Sequence, residues 1–218
     1  MIKLDSTKQN IFFSADLHLY HKNITRGVSQ WGPDRGCRDF DTIEEMTDTI
    51  IDGINKYVGE DDLLFVLGDW CFNGIDKIWE GRKRIKCRNI YFIAGNHDLK
   101  IIRDEVLPNC RSVDSTYQII DESESTQVLD LTNQVKAQDL FNYRGTSDLV
   151  QIDKHLVYMS HFPCEGVRYD KRSFHIHGHV HGTYAKSSSR LDVGIDNAFK
   201  LYGEYRPFTW EEVKQILK

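Results

Sequence analysis

The chain has 218 residues, 40% hydrophobic and 28% charged, with a formal charge of -5 at neutral pH. This is ordinary for a soluble globular protein able to bury a substantial core, and the negative balance argues against a protein whose main task is to track a long nucleic-acid backbone. Five scattered cysteines (Cys37, Cys71, Cys87, Cys110, Cys164) without a C-x-x-C pair fit reduced thiols better than a disulfide framework or zinc-thiolate site, and no apolar leader or membrane-length run is present, so the expected location is cytoplasmic.

In chain order, Ile11–Ala15 reads as a buried strand running straight into Asp16-Leu17-His18, with His21 three residues on. Residues 26–40, punctuated by Gly27, Gly32, Pro33 and Gly36, read as an irregular loop. From Asp41 the apolar spacing turns helical: Ile43, Met46, Ile50, Ile51, Ile54, Tyr57 and Val58 share a face, Asp41 or Thr42 caps it, and Gly59-Glu60-Asp61 ends it. Leu63–Leu67 is a second buried strand, ending in Gly68-Asp69-Trp70. A short helix should follow, with Ile75, Ile78, Trp79 and Ile85 inward and the basic run Arg82, Lys83, Arg84, Lys86 and Arg88 mostly a solvated face. The third strand, Ile90–Ala94, stops at Gly95-Asn96-His97-Asp98, where the glycine allows a sharp turn.

Residues 99–107 suggest another short helix, closed by Pro108 and Asn109, and Tyr117–Ile120 a strand. Residues 121–148 are polar, with a strand expected near Val128–Leu131 and a helical turn near Val135–Phe141; so long a connection is a lid, a binding element or a surface decoration. Order resumes in a hairpin, Leu149–Ile152 and His155–Met159 around Asp153-Lys154, whose second arm ends in Ser160-His161. Phe174–His177 then leads into Gly178-His179-Val180-His181-Gly182; His175 and His177 alternate on one strand face and are not assigned as ligands. Arg190–Ile195 is the last strand, and Thr209 caps a terminal helix carrying Trp210, Val213, Ile216 and Leu217. With no repeats or linkers, the expectation is one α/β domain over 1–218, with an insertion or lid at about 121–148.

Five apolar runs thus end in groups able to bind metal: Asp16 and His18, Asp69, Asn96, His161, then His179 and His181. A lone aspartate after a strand is usually a turn or cap, and a lone buried histidine usually a core residue. Five such endings in strand context have no reason to recur by capping alone, because ligands gather past the carboxyl ends of strands in open α/β sheets.

D-x-H, G-D, G-N-H-D, a lone histidine and G-H-x-H, in that order, resemble the calcineurin-like metallophosphoesterases, and Asp16 to Ile24 is most similar to a small stand-alone bacterial and phage branch. The resemblance covers Ile11 to about Ile195. It implies two packed mixed β-sheets flanked by helices, an αββα sandwich, and location in the host cytoplasm if the protein is phage-encoded. It also implies that Asp16, His18 and His181 hold one metal, that Asn96, His161 and His179 hold a second, and that Asp69 bridges them. The oxygen and imidazole donors suit two divalent ions, manganese first, with iron, zinc, nickel or magnesium as alternatives. Such a pair clamps the attacking and leaving oxygens of a phosphoryl displacement, and a bridging water becomes the nucleophile. His97 would protonate or neutralise the leaving alkoxide and Asp98 would orient its ring. His21 is a candidate substrate contact or a plain loop residue, and Asn73 stands near where many members carry an acidic or amide residue after G-D. The implied activity is phosphodiesterase or phosphatase action on a small or nucleotide-like ester. The alternatives are a nuclease of the double-strand-break repair type and a non-catalytic protein-binding scaffold.

Overall fold

The computed structural model describes residues 1–32, 35–113, 116–119, 134–165, 173–183 and 189–217, with backbone alone at 108–113 and 116–119. Its strands and α-helices run β1 (Lys3–Leu4), β2 (Ile11–Ser14), α1 (Ile43–Tyr57), β3 (Leu63–Leu67), α2 (Asp76–Arg84), β4 (Asn89–Ile93), α3 (Leu99–Ile102), β5 (Val106–Val113), β6 (Thr116–Ile119), β7 (Gln134–Lys136), β8 (Asn142–Tyr143), β9 (Ser147–Ile152), β10 (His155–Ser160), β11 (Ser173–His177), β12 (Arg190–Asp192), α4 (Ile195–Tyr202), β13 (Phe208–Thr209) and α5 (Trp210–Ile216). One five-stranded sheet has the order β13-β2-β3-β4-β8, parallel except for β13; the other has the order β1-β9-β10-β11-β12, antiparallel only between β9 and β10.

The first sheet is apolar on both faces because both are covered. Ile11, Phe13, Leu63, Phe65, Leu67 and Ile93 point into a core shared with Val150, Val157, Met159 and Ile176 of the second sheet. Phe12, Leu64, Val66, Ile90 and Phe92 alternate with them and pack on Met46, Ile50 and Ile54 of α1 and on Ile78 of α2. The two mixed sheets packed face to face with flanking helices are the architecture that the motif resemblance implied. Thr42 caps α1 by accepting from the Glu45 N–H at 3.1 Å, and Thr209 with Glu212 forms a reciprocal capping box at the start of α5.

Several elements differ from the sequence expectation. The helix expected over 99–107 ends at Ile102, where Asp104 takes a positive φ of 53° and the chain turns into β5. The expected strand over 190–195 ends at Asp192, and residues from Ile195 form α4 instead. Within the expected insertion at about 121–148, the described part from 134 onward supplies β7, which joins a three-stranded sheet with β5 and β6, and β8, which extends the first main sheet. The strand expected near 128–131 lies outside the described residues. The basic run is mostly a solvated face, as expected, with Lys83, Lys86 and Arg88 exposed; Arg82 differs in donating to the Leu140 carbonyl at 3.0 Å, and Arg84 pairs with Asp48 at 2.6 Å.

Candidate metal centre

Every expected ligand lies just past the carboxyl end of a strand: Asp16 and His18 after β2, Asp69 after β3, Asn96 after β4, His161 after β10, and His179 and His181 after β11. Asp16, His18, Asp69, His179 and His181 all adopt positive φ, between 48° and 71°. Each such non-glycine residue costs on the order of 1–3 kcal/mol, so the surrounding hydrogen bonds must hold the loops in place. Arg38 and Asp98 supply many of them. Arg38, 3% exposed, donates to the Asp16 and Leu17 carbonyls at 2.6 and 2.7 Å. Asp98 accepts from the Asp69 and Gly95 N–H groups at 2.7 Å and from the Trp70 N–H at 3.0 Å.

Close backbone approach explains the glycines. A Cβ on Gly95 would strike Asp69 Oδ1, and one on Gly178 would sit 2.6 Å from Asp16 Oδ2. Asp16 in turn accepts the His179 N–H at 2.9 Å, and Asp69 Oδ1 accepts the His97 N–H at 3.0 Å.

The donors converge. His18 Nε2 and His181 Nε2 face each other at 3.3 Å, with Asp69 Oδ2 3.6 Å from the first and Asp16 Oδ1 3.8 Å from the second. Asn96 Oδ1 lies 3.0 Å from His161 Nε2 and 3.1 Å from His179 Nδ1. Asp69 Oδ2 is also 3.4 Å from His161 Nε2. Partners outside the cluster select the free ring nitrogens. His161 Nδ1 donates to the Leu67 carbonyl at 2.8 Å, which leaves Nε2 as a lone pair; His181 Nδ1 lies 2.6 Å from Asp196 Oδ2, which does the same. Asp196 is gripped by Arg38 through Nε at 2.8 Å and Nη2 at 2.9 Å.

Electrostatics agree with a cation at this place. Burial pushes Asp16 well above the usual carboxylate range, reinforced by Asp192, Asp69 and Asp196, and burial also raises Asp69. Burial drives His18 well below its ordinary value and brings His161 down to about 4. These imidazoles are therefore neutral donors of electron pairs, and the carboxylates are held close in spite of their repulsion. A cluster of inward lone pairs around buried, mutually repelling carboxyls that lack a counter-charge among the described residues is a chemical fit for divalent ions, whose charge would keep those carboxyls ionised.

The other expected residues are placed as follows. The His97 ring stands 5.8 Å from the His18 ring. Asp98 is raised by burial and by Asp69, and its carboxylate is spent on the three backbone amides, so among its described hydrogen bonds none goes to the His97 ring. His21 stacks on Phe72 with centroids 3.6 Å apart, and burial takes it down to about 4. Asn73 donates its amide to the Tyr20 carbonyl, tying two loops together. His175 and His177 sit on β11 with their rings 5.4 Å apart, bonded to Ser160 and to the Gly178 carbonyl, outside the donor cluster. Arg38, Asp192 and Asp196 were not foreseen. Asp192 accepts the Gly182 and Gly194 N–H groups at 2.6 and 2.7 Å. Asp192 is the last residue of β12 and Asp196 lies in the first turn of α4, so neither stands just past a strand as the ligands do, and a lone arginine in an irregular loop carries no signal at all.

The profile of the calcineurin-like phosphoesterases matches residues 10–214, nearly the whole chain and every strand-end donor above. The chain belongs to that family. Among curated proteins, this family member is 32% identical over 92 residues to an uncharacterized protein of Methanocaldococcus jannaschii, a match covering 41% of this chain and 47% of that protein. The chain therefore aligns with less than half of that relative's length. The crystal structure of a protein of unknown function from Aquifex aeolicus superposes on it with a TM-score of 0.57 at 17% identity, covering 95% of this chain and 99% of the other, and shares the fold. Among the described residues, no helix is long and apolar enough to cross a membrane.

Proposed function

We propose that this protein is a dinuclear metal-dependent phosphoesterase, a phosphodiesterase or phosphatase acting on a small or nucleotide-like ester. The observation that carries the reading is the position of Asp69, whose Oδ2 is within 3.6 Å of His18 Nε2 and 3.4 Å of His161 Nε2. One carboxylate oxygen thus reaches the free nitrogen of a histidine in each half of the cluster. Asp16 is less suited to bridge, because its close approach to His161, 4.0 Å, is to Nδ1, which is committed to the Leu67 carbonyl. Asp16, His18 and His181 would hold one ion, and Asn96, His161 and His179 the other. When bound, such a pair supplies Lewis acidity and makes water a nucleophile at neutral pH.

The chain's own groups do the rest. The His97 backbone N–H is held by Asp69, and its ring, 5.8 Å from that of His18, would give a proton to the departing oxygen. Asp98 holds the loops carrying Asp69 and His97 in register through its backbone bonds. Asp196 and Arg38 keep His181 in the tautomer with Nε2 free. Manganese is the first choice of ion among those that accept oxygen and imidazole donors.

The test is elemental analysis of protein loaded with manganese, together with hydrolysis of bis-p-nitrophenyl phosphate, p-nitrophenyl phosphate, cyclic nucleotides and short oligonucleotides. Two ions per chain and metal-dependent release from a small ester are expected. One ion per chain, or two ions with every ester intact, would overturn the reading.

A further inference from the structure

The loop after Asp69 does more than carry a ligand. Trp70 turns inward and is fully buried, while the Phe72 N–H donates to the Leu19 carbonyl at 2.9 Å and Asn73 bonds to the Tyr20 carbonyl. These bonds fix the backbone and present the Phe72 ring, backed by His21, with its centroid 4.8 Å from that of His97. Beside it lies a cavity of about 240 Å³, walled by Phe72, Ile78, Leu99 and Ile101, with His97, Lys100, Asn73 and Asp98 as its polar lining. Leu99 is 53% exposed at the start of α3. The Asp98 oxygens are already spent on backbone amides and the Asn73 amide on the Tyr20 carbonyl, so beyond Lys100 and His97 a polyhydroxy group would meet few unspent partners to replace the water its hydroxyls lose. A flat ring would lose nothing comparable and would gain contact with an aromatic side chain already held in place.

We infer that this cavity receives the substrate's departing alcohol and that this alcohol carries an aromatic ring, seated against Phe72 and Leu99. The inference rests on the phosphoesterase reading, in which His97 gives a proton to the departing oxygen, and the cavity that His97 lines is the space open beside that ring. Specificity then comes from residues 72 and 99–101, outside the set of metal donors.

The experiment compares metal-loaded wild type with Phe72→Leu and Leu99→Glu on phenyl and glyceryl phosphates, each as monoester and as methyl diester. Intrinsic reactivity cancels, because the mutant-to-wild-type ratio is compared between leaving groups. Both variants should raise KM for the phenyl esters by roughly ten- to a hundredfold, the range for losing one ring contact, and change KM for the glyceryl esters less than about twofold. Metal content should be equal in all three proteins. Equal effects on the two leaving groups, or none, would overturn the inference. A wild type that cleaves no ester defeats the phosphoesterase reading instead. Calorimetric titration of adenosine into the metal-loaded protein then decides the cavity: saturable binding lost in Leu99→Glu supports it, and absence of binding overturns it.

Discussion

Replacing Arg38 with methionine is the sharpest test of how the centre is held. The guanidinium makes four N–H···O bonds, two to Asp196 and one each to the Asp16 and Leu17 carbonyls, all between 2.6 and 2.9 Å. Asp196 is held well below the usual carboxylate range: burial opposes this, but Arg38 and the His181 ring more than offset it. Without Arg38 a buried carboxylate loses its counter-charge, and breaking such a pair costs about 3–5 kcal/mol. Two unpaired backbone carbonyls add to that, though not independently. Against a typical stability of about 5–15 kcal/mol the loss is large. His181 also loses the anchor of its tautomer, and disruption of this kind costs about 10–100-fold in metal affinity. Urea unfolding of the metal-free protein and calorimetric manganese titration read the two effects separately. Arg38→Lys, which keeps the charge without the fork, should fall between, and Asp196→Asn in the Arg38→Met background should recover part of the stability. Unchanged urea midpoint and unchanged manganese affinity in Arg38→Met would refute the account.

Replacing His97 with alanine should lower turnover of a good ester by roughly two to four decades while bound metal, read by elemental analysis, stays near wild type; parallel loss of metal would make His97 a ligand. Gly95→Ala drives a methyl into Asp69 Oδ1 and to 2.9 Å from His161 Nδ1, so it should cost about 1–3 kcal/mol in thermal unfolding and weaken metal binding; a wild-type profile on both would show that the approach is not binding. His175, brought to about 4 by burial, gives a pH dependence of known sign. Its folded value lies below the unfolded one, near 6.5, so the unfolded chain takes up the proton first as pH falls. Stability should decline between about pH 6.5 and pH 4, by at most about 3 kcal/mol from this residue. His175→Gln should flatten that part of the curve in urea titrations of the metal-free protein, and an unchanged slope would assign the dependence to other groups.

The strands and the donors at their ends were legible in the sequence because both announce themselves locally. Ile11–Ser14, Leu63–Leu67 and Asn89–Ile93 are apolar on both faces, and each breaks abruptly into glycine, aspartate, asparagine or histidine. Helix α1 carries its own cap and its own period. What the chain alone could not settle depends on residues far apart in it. Asp98 was expected beside its sequence neighbour His97, yet its oxygens go to amides at 69, 70 and 95, because those orphaned N–H groups lie buried next to it once β3 and β4 pair. Arg38 in an irregular loop becomes the counter-charge of Asp196, 158 residues away, only when α4 folds back against that loop. Local pattern is written by propensity and periodicity, which act over a few residues; charge pairing and backbone satisfaction in a buried site act through space, and only the packed sheets decide who meets whom.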